Sequence, residues 1–388
     1  MEKEVNCFMD KYQDAFNNAM SQYGGLFNNY TDENGFRYLV FLRQLRESLR
    51  FCLICARVSD KVNIYLDFVN NMALNAVVAK GGKDEEHKDV YYIGVYIGCV
   101  YILENILYRF FSHPGLFEVI GDPKVEIIPE KISDAEITDA NFIRKLPLDL
   151  QKVYPRDMMR AEHANKFVLI ALKYLINHEL GHIMMGHCSW LKQKNGMSSG
   201  LTMYDISHIP DAEIITYHSF EFDADNWALM TFAWELEELE FFIATGVERL
   251  APIPVHFDRI YREYIAPIWM IAFSVSLLNR LQGTANNFNE NRNKLHPSPI
   301  TRQQIWIRSL MYFYTGGMED FDPPEFFTAL EAMNYVEVCL ANISKKAFRS
   351  DYFDMVFSSE NRIYINELIL HFQKVKWELE GFNYVNLA

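Results

Sequence analysis

His178, Glu179 and His182 are the residues of this chain whose types and spacing can do chemistry. They stand in Asn177-His178-Glu179-Leu180-Gly181-His182, near the end of a run from Lys166 to His187. The apolar residues of that run (Phe167, Val168, Ile170, Ala171, Leu172, Tyr174, Leu175, Ile176) are too dense and too many for a strand, which predicts a buried helix. At 3.6 residues per turn, positions i and i+4 project from one face about 6 Å apart, so two imidazoles can share one tetrahedral metal ion. A water on such an ion has its pKa lowered from about 15.7 towards roughly 7. Glu179, beside the pair, is then placed to take that proton and pass it to a leaving amine, which is the chemistry of peptide hydrolysis. The alternative is a chance spacing on an ordinary buried helix, so a third ligand has to be sought elsewhere.

The run from His218 to Phe242 contains Glu221-Phe222-Asp223-Ala224-Asp225. On a second helix, Glu221 can turn inward to a metal, and Asp225, one turn later, can reach the outer nitrogen of a ligand histidine and fix its tautomer. The competing explanation is an acidic helix start, where carboxylates favour the macrodipole. That accounts for one carboxylate. It does not account for a pair spaced by four on a helix otherwise rich in Phe, Trp and Leu, because a carboxylate facing a core needs a partner. Further on, Leu295-His296-Pro297-Ser298-Pro299 excludes helix until about Ile300. His296 on that rigid approach can donate a hydrogen bond to an oxyanion; taken alone, it reads equally as a loop histidine without a role.

As an ordered set, H178-E-L-G-H182 with His187 after it, E221-F-D-A-D225 and H296-P-x-P-x-x-R302 resemble the gluzincin peptidases related to the membrane heat-shock protease and the CAAX prenyl protease. The resemblance covers roughly Lys166 to Leu310. It implies His178, His182 and Glu221 as zinc ligands, Glu179 as general base and Asp225 as the residue orienting a ligand ring. It also implies His296 and Arg302 as residues that orient substrate or stabilise the transition state. Many members of that family are built around transmembrane helices, and here the chain departs from them. A second resemblance, to the Lit-type phage-exclusion proteases, rests on H-E-x-x-H in a chain without membrane spans.

Composition narrows the classes. The chain has 388 residues, enough for one large or two ordinary domains, and is 50% hydrophobic and 15% aromatic, which argues against large-scale disorder. A net charge of −14 with no basic run excludes nucleic acid as an expected partner. The N-terminus carries acids and no apolar core of a secretory signal. Six scattered cysteines suit a reducing cytoplasm, and Cys52-x-x-Cys55 sits in an apolar run that reads as packing. Tyr91–Leu103 and Pro267–Leu278 both fall short of the ~18–20 apolar residues that span a bilayer, and read as core helices.

Phe36–Val58 reads as an amphipathic helix. Gly81–Lys88 reads as a loop, and His113–Tyr154 as an irregular stretch with a strand-like Val125–Ile128. Trp190–Pro210 reads as a polar loop, either a plain connection or a lid over the cleft. His187, five residues after His182, falls about 140° round the helix from it and is poorly placed to ligate. His163, His208 and His218 read as structural or exposed. The expected fold is mainly α, with a zincin-like core over 161–310, a helical N-terminal region over 1–160, a helical cap over 311–388 and at most a small β element. The expected function is an intracellular zinc endopeptidase acting on protein or peptide. The alternatives are a Lit-like defence protease for one host protein, a non-catalytic binding protein on a zincin scaffold, and a helical interaction protein without metal.

Overall fold

A computed structural model of the chain describes residues 12–28, 33–139, 153–195, 211–245, 267–282, 296–315, 324–345 and 351–385. After a short helix over residues 12–20, the main elements are α1 (Glu33–Cys55), β1 (Val62–Val69), β2 (Ala76–Lys83), β3 (Asp89–Tyr96) and α2 (Ile97–Ser112). Then come α3 (Met158–Met184), α4 (His187–Asn195), α5 (Asp211–Thr245), α6 (Pro267–Leu281), α7 (Pro299–Thr315), α8 (Pro324–Ile343) and α9 (Ser359–Leu379). The protein is mainly helical with one small sheet. No helix among the described residues is long and apolar enough to cross a membrane.

The sheet has the order β1-β3-β2, with β1 parallel and β2 antiparallel to β3. Two expectations are corrected here. Tyr91–Leu103 is not one helix: it pairs as strand to Tyr96 and turns helical at Ile97. A dense apolar run has the same hydropathy in a buried strand as in a buried helix, and the aromatic and β-branched residues Tyr91, Tyr92, Ile93 and Val95 favour the strand. Gly81 and Gly82 belong to β2, at a register shift between Lys80 and Lys83 that breaks the alternation a strand would show. Only Asp84–Lys88 forms the turn, where Asp84 Oδ1 accepts the backbone N–H groups of Glu86 and Lys88.

Val125–Ile128 is not a strand either. Pro123–Val125 is a 3-10 turn, and Ile127 and Ile128 are exposed at 56% and 63%. The rest of residues 113–139 is irregular, as its prolines require, apart from a single turn of helix at Asp134–Ile137.

Helix α3 is the axis of the molecule, packed by α1, α2, α5, α6 and the inner face of β2 and β3. That explains why its apolar residues go all the way round rather than forming one stripe. It starts at Met158, and a single hydrophobic cluster running from Phe16 to Val356 draws on the N-terminal, central and C-terminal stretches alike. Helix α5 crosses α3 closely at Gly181: a Cβ there would meet Ala224 Cα at 2.9 Å. Glycine in one motif and alanine in the other thus let the two helices approach.

A buried ion pair locks the same crossing at its far end. Lys173 Nζ donates to Glu235 Oε2 at 2.5 Å, and Ser48 Oγ of α1 donates to Glu235 Oε1 at 2.8 Å. Lys173→Met is expected to cost about 3–5 kcal/mol by stranding the carboxylate, while Lys173→Met with Glu235→Leu recovers most of that. Urea unfolding of the single and double variants measures it. Equal losses in both would show that the pair is not the source.

Candidate metal centre

His178 and His182 stand one turn apart on α3, and Glu221 is brought to them by α5. One ligand atom from each of the three lies within 4.8 Å of the others, and all three side chains are buried. The two Nε2 atoms are 3.2 Å apart, and Glu221 approaches His178 Nε2 at 3.3 Å and His182 Nε2 at 3.2 Å. None of these approaches is aligned as a hydrogen bond on the carboxylate, so both buried oxygens of Glu221 lack one. A buried carboxylate whose neighbouring ring nitrogens are not aligned as hydrogen bonds is rare, and two imidazole nitrogens with one carboxylate oxygen match the donor set of a zinc site, so the residues fit such an ion. Glu221 lies ten residues into α5, which removes the macrodipole explanation for it.

Electrostatics keep this carboxylate charged. Burial would raise the Glu221 pKa, but the facing His296 and His178 imidazoles hold it well below the ordinary range. For His178, burial and the Arg302 guanidinium push downward, and Glu221 and Asp225 outweigh them, raising it to about 9 in the metal-free protein.

Asp225 sits where the sequence places it. Its Oδ1 lies 2.8 Å from His178 Nδ1, which leaves Nε2 of that ring facing the shared space. The same carboxylate accepts from Tyr174 Oη at 2.8 Å and from Arg302 through Nε at 3.0 Å and Nη2 at 2.6 Å. Against the effect of burial, Arg302 and His178 hold the Asp225 carboxyl far below the usual range. Arg302, expected to orient substrate or stabilise the transition state, spends these donors on Asp225. It is buried, and its remaining Nη1 donates to Gln282 at 3.0 Å, so its role here is to fix Asp225.

Glu179 is the most accessible residue of His178–His182, at 9%, and burial raises its pKa above the ordinary carboxylate value, against the pull of His178 and His182. His296 reaches the site from the turn before α7, with Nδ1 2.9 Å from Glu221 Oε2 and 27% of its side chain exposed. It is not part of the group whose ligand atoms all lie within 4.8 Å of one another.

His187 is not a ligand, yet it is at the site. It begins α4 rather than continuing α3, its Nδ1 lies 3.0 Å from His182 Nδ1, and its Nε2 lies 3.2 Å from Asp223 Oδ2. Burial alone lifts the Asp223 carboxyl to about 8. Sequence reasoning missed Tyr174, Gln282 and Asp223. Tyr174 had a signal, being one turn before His178 on the same face. His163 and His218 are buried away from the centre, whereas His208 and the 196–210 part of the expected polar loop lie outside the described residues. Trp190–Asn195 belongs to α4.

No family model, curated protein or solved structure matches this chain.

Proposed function

We propose that the chain is a zinc-dependent endopeptidase of gluzincin type, with His178, His182 and Glu221 as the residues that would hold the ion. The observation that carries this reading is the buried group of two imidazoles and one carboxylate on crossing helices, with the Glu179 carboxylate beside His178 in the chain. When bound, zinc supplies an acidified water and a Lewis acid for the scissile carbonyl.

The chain's own residues do the rest. Glu179 takes a proton from the attacking water and returns it to the leaving amine. Its raised pKa suits both halves of that exchange better than an ordinary glutamate would. Asp225, clamped by Arg302 and Tyr174, holds the His178 ring in one tautomer and orientation. His296, the exposed member of the group, is available to donate to an oxyanion. For substrate, β2 offers an edge: it packs on α3 and α4, and no strand pairs with its outer side among the described residues, so an extended peptide can add there by main-chain hydrogen bonds. Among the described residues three protein ligands converge, the number that an open, catalytic zinc site has. The described cysteines are all free thiols, consistent with a reducing compartment.

The test is elemental analysis of native chain purified without chelator beside His182→Ala and Glu221→Ala, with cleavage of an unfolded protein substrate followed in parallel. Near-stoichiometric zinc in the native chain, lost in both variants together with cleavage, is the expected result. A native chain that stays zinc-free after zinc is added back would remove the reading.

A further inference from the structure

The two histidines of the centre have their outer nitrogens satisfied in different ways. His178 Nδ1 meets a carboxylate directly, Asp225 at 2.8 Å. His182 Nδ1 meets a second imidazole, His187 Nδ1 at 3.0 Å, and that ring's far nitrogen faces Asp223 Oδ2 at 3.2 Å. We propose that Asp223 and His187 are positioning residues for His182, a carboxylate–imidazole relay that does for this ring what Asp225 alone does for His178. The inference rests on the zinc reading above.

The heavy atoms allow one useful order of protons. His182 Nε2 faces His178 and Glu221, so a metal takes that nitrogen and the ring's proton stays on Nδ1. Nδ1–H then donates to His187 Nδ1, whose own proton is left on Nε2, pointing at Asp223. Each proton then faces an acceptor, the first across the 3.0 Å hydrogen bond from His182 to His187 and the second across the 3.2 Å approach of His187 to Asp223. His187 Nε2 and Asp223 Oδ2 are both buried without an aligned hydrogen bond, to each other or to any other described residue, so their 3.2 Å approach is the contact that a small rotation would turn into one. Reversing the order would put a proton on His182 Nε2, where it would block a metal. With Asp223 as the terminal acceptor, the relay favours the metal-binding tautomer of His182.

The chain is built to deliver this imidazole. Helix α3 ends at Met184, and Gly186, at φ +81°, reverses the backbone so that His187 comes back beneath His182. A side chain at Gly186 would meet Phe382 carbonyl carbon at 2.7 Å, so the turn is held from outside as well. The His187 ring stacks on Phe220 with centroids 4.3 Å apart and planes 11° from parallel, which fixes its orientation. Phe220, Glu221, Asp223 and Asp225 all lie on α5, so one helix supplies a ligand, the direct partner of one histidine and the remote partner of the other.

The experiment is competition with a chromogenic zinc chelator on the full chain, native and carrying His187→Phe, His187→Gln or Asp223→Asn, with the thermal midpoint of each zinc-free protein. Phenylalanine keeps the stack on Phe220 and removes both ring nitrogens. Zinc affinity is expected to fall about 10–100-fold in His187→Phe and about tenfold in Asp223→Asn, while the zinc-free midpoints stay within a few degrees of native. Glutamine carries an acceptor and a donor in one side chain and is expected to recover most of the loss, which a purely structural role for His187 would not predict. Native affinity in His187→Phe overturns the inference, as does a Gln variant no better than Phe. If His187→Phe does not fold, the near-isosteric Asp223→Asn decides alone, and native affinity there is the overturning result. A native chain that binds no zinc is a different failure: it removes the reading beneath, and the relay with it.

Discussion

Glu179→Gln is expected to keep zinc and lose hydrolysis. Glutamine matches the shape of glutamate, so the buried packing around His178 and His182 is undisturbed and the three candidate ligands keep their places. What disappears is a group that can accept a proton and give it back. General acid–base assistance of this kind is worth about 10²–10⁴ in rate, so cleavage of an unfolded protein substrate should drop by that factor at unchanged zinc content. The two readouts separate the roles: zinc lost with activity would make Glu179 a ligand or a structural residue, and full activity would remove it from the chemistry. Glu221→Ala is its natural contrast, since that change is expected to remove the metal first.

An expected effect on folding as large as that at Lys173 lies away from the centre, at Arg160. This side chain is fully buried in the first turn of α3 and uses all five of its N–H donors on backbone carbonyls at the end of α2 and in the irregular segment after it. Nε donates to Phe111 at 2.7 Å, Nη1 to Phe117 and Ile120 at 2.9 Å each, and Nη2 to His113 and Leu116 at 3.1 and 2.8 Å. The Glu126 carboxylate lies 3.6 Å from Nε and also accepts the backbone N–H groups of Arg156 and Asp157. The guanidinium thus stands in for secondary structure along 111–120, where the chain makes none of its own after Ser112. Arg160→Met leaves five carbonyls and one carboxylate without this partner and is expected to destabilise by about 3–5 kcal/mol, read by urea unfolding. Arg160→Lys keeps the charge but has three donors on a single nitrogen, so it is expected to recover only part of the loss. A Met variant within about 1 kcal/mol of native would show that the segment holds its shape by other means.

Where local periodicity carries the information, the elements were legible in the sequence. The buried helix around His178, the amphipathic helix after Phe36 and the core helix at Pro267 each repeat a hydropathy pattern long enough to identify. So did the spacing that puts His178 and His182 on one face, because i and i+4 is a property of one helix and needs no partner. The three-stranded sheet was not legible. Its central strand continues directly into a buried helix without a change in hydropathy, and its edge strand is broken by two glycines at a bulge.

Which residue types are available for a site, and which two of them share a helical face, can be read from the order of residues alone. The tertiary structure decided what they meet. Arg302 is a charge six residues after a histidine in the sequence; packing α7 on α5 turns it from a candidate substrate contact into the clamp on Asp225. By helical geometry His187 points away from the metal, but the turn at Gly186 ends the helix and returns it behind His182. Glu221 looks like a helix start in the sequence and lies ten residues into one, where the approach of Gly181 to Ala224 delivers it to the histidines. The physical reason is common to all three. Hydropathy and helical spacing act over a few residues, whereas the partner of a buried charge is chosen by which helices pack together, and that choice is made by side chains far apart in the chain.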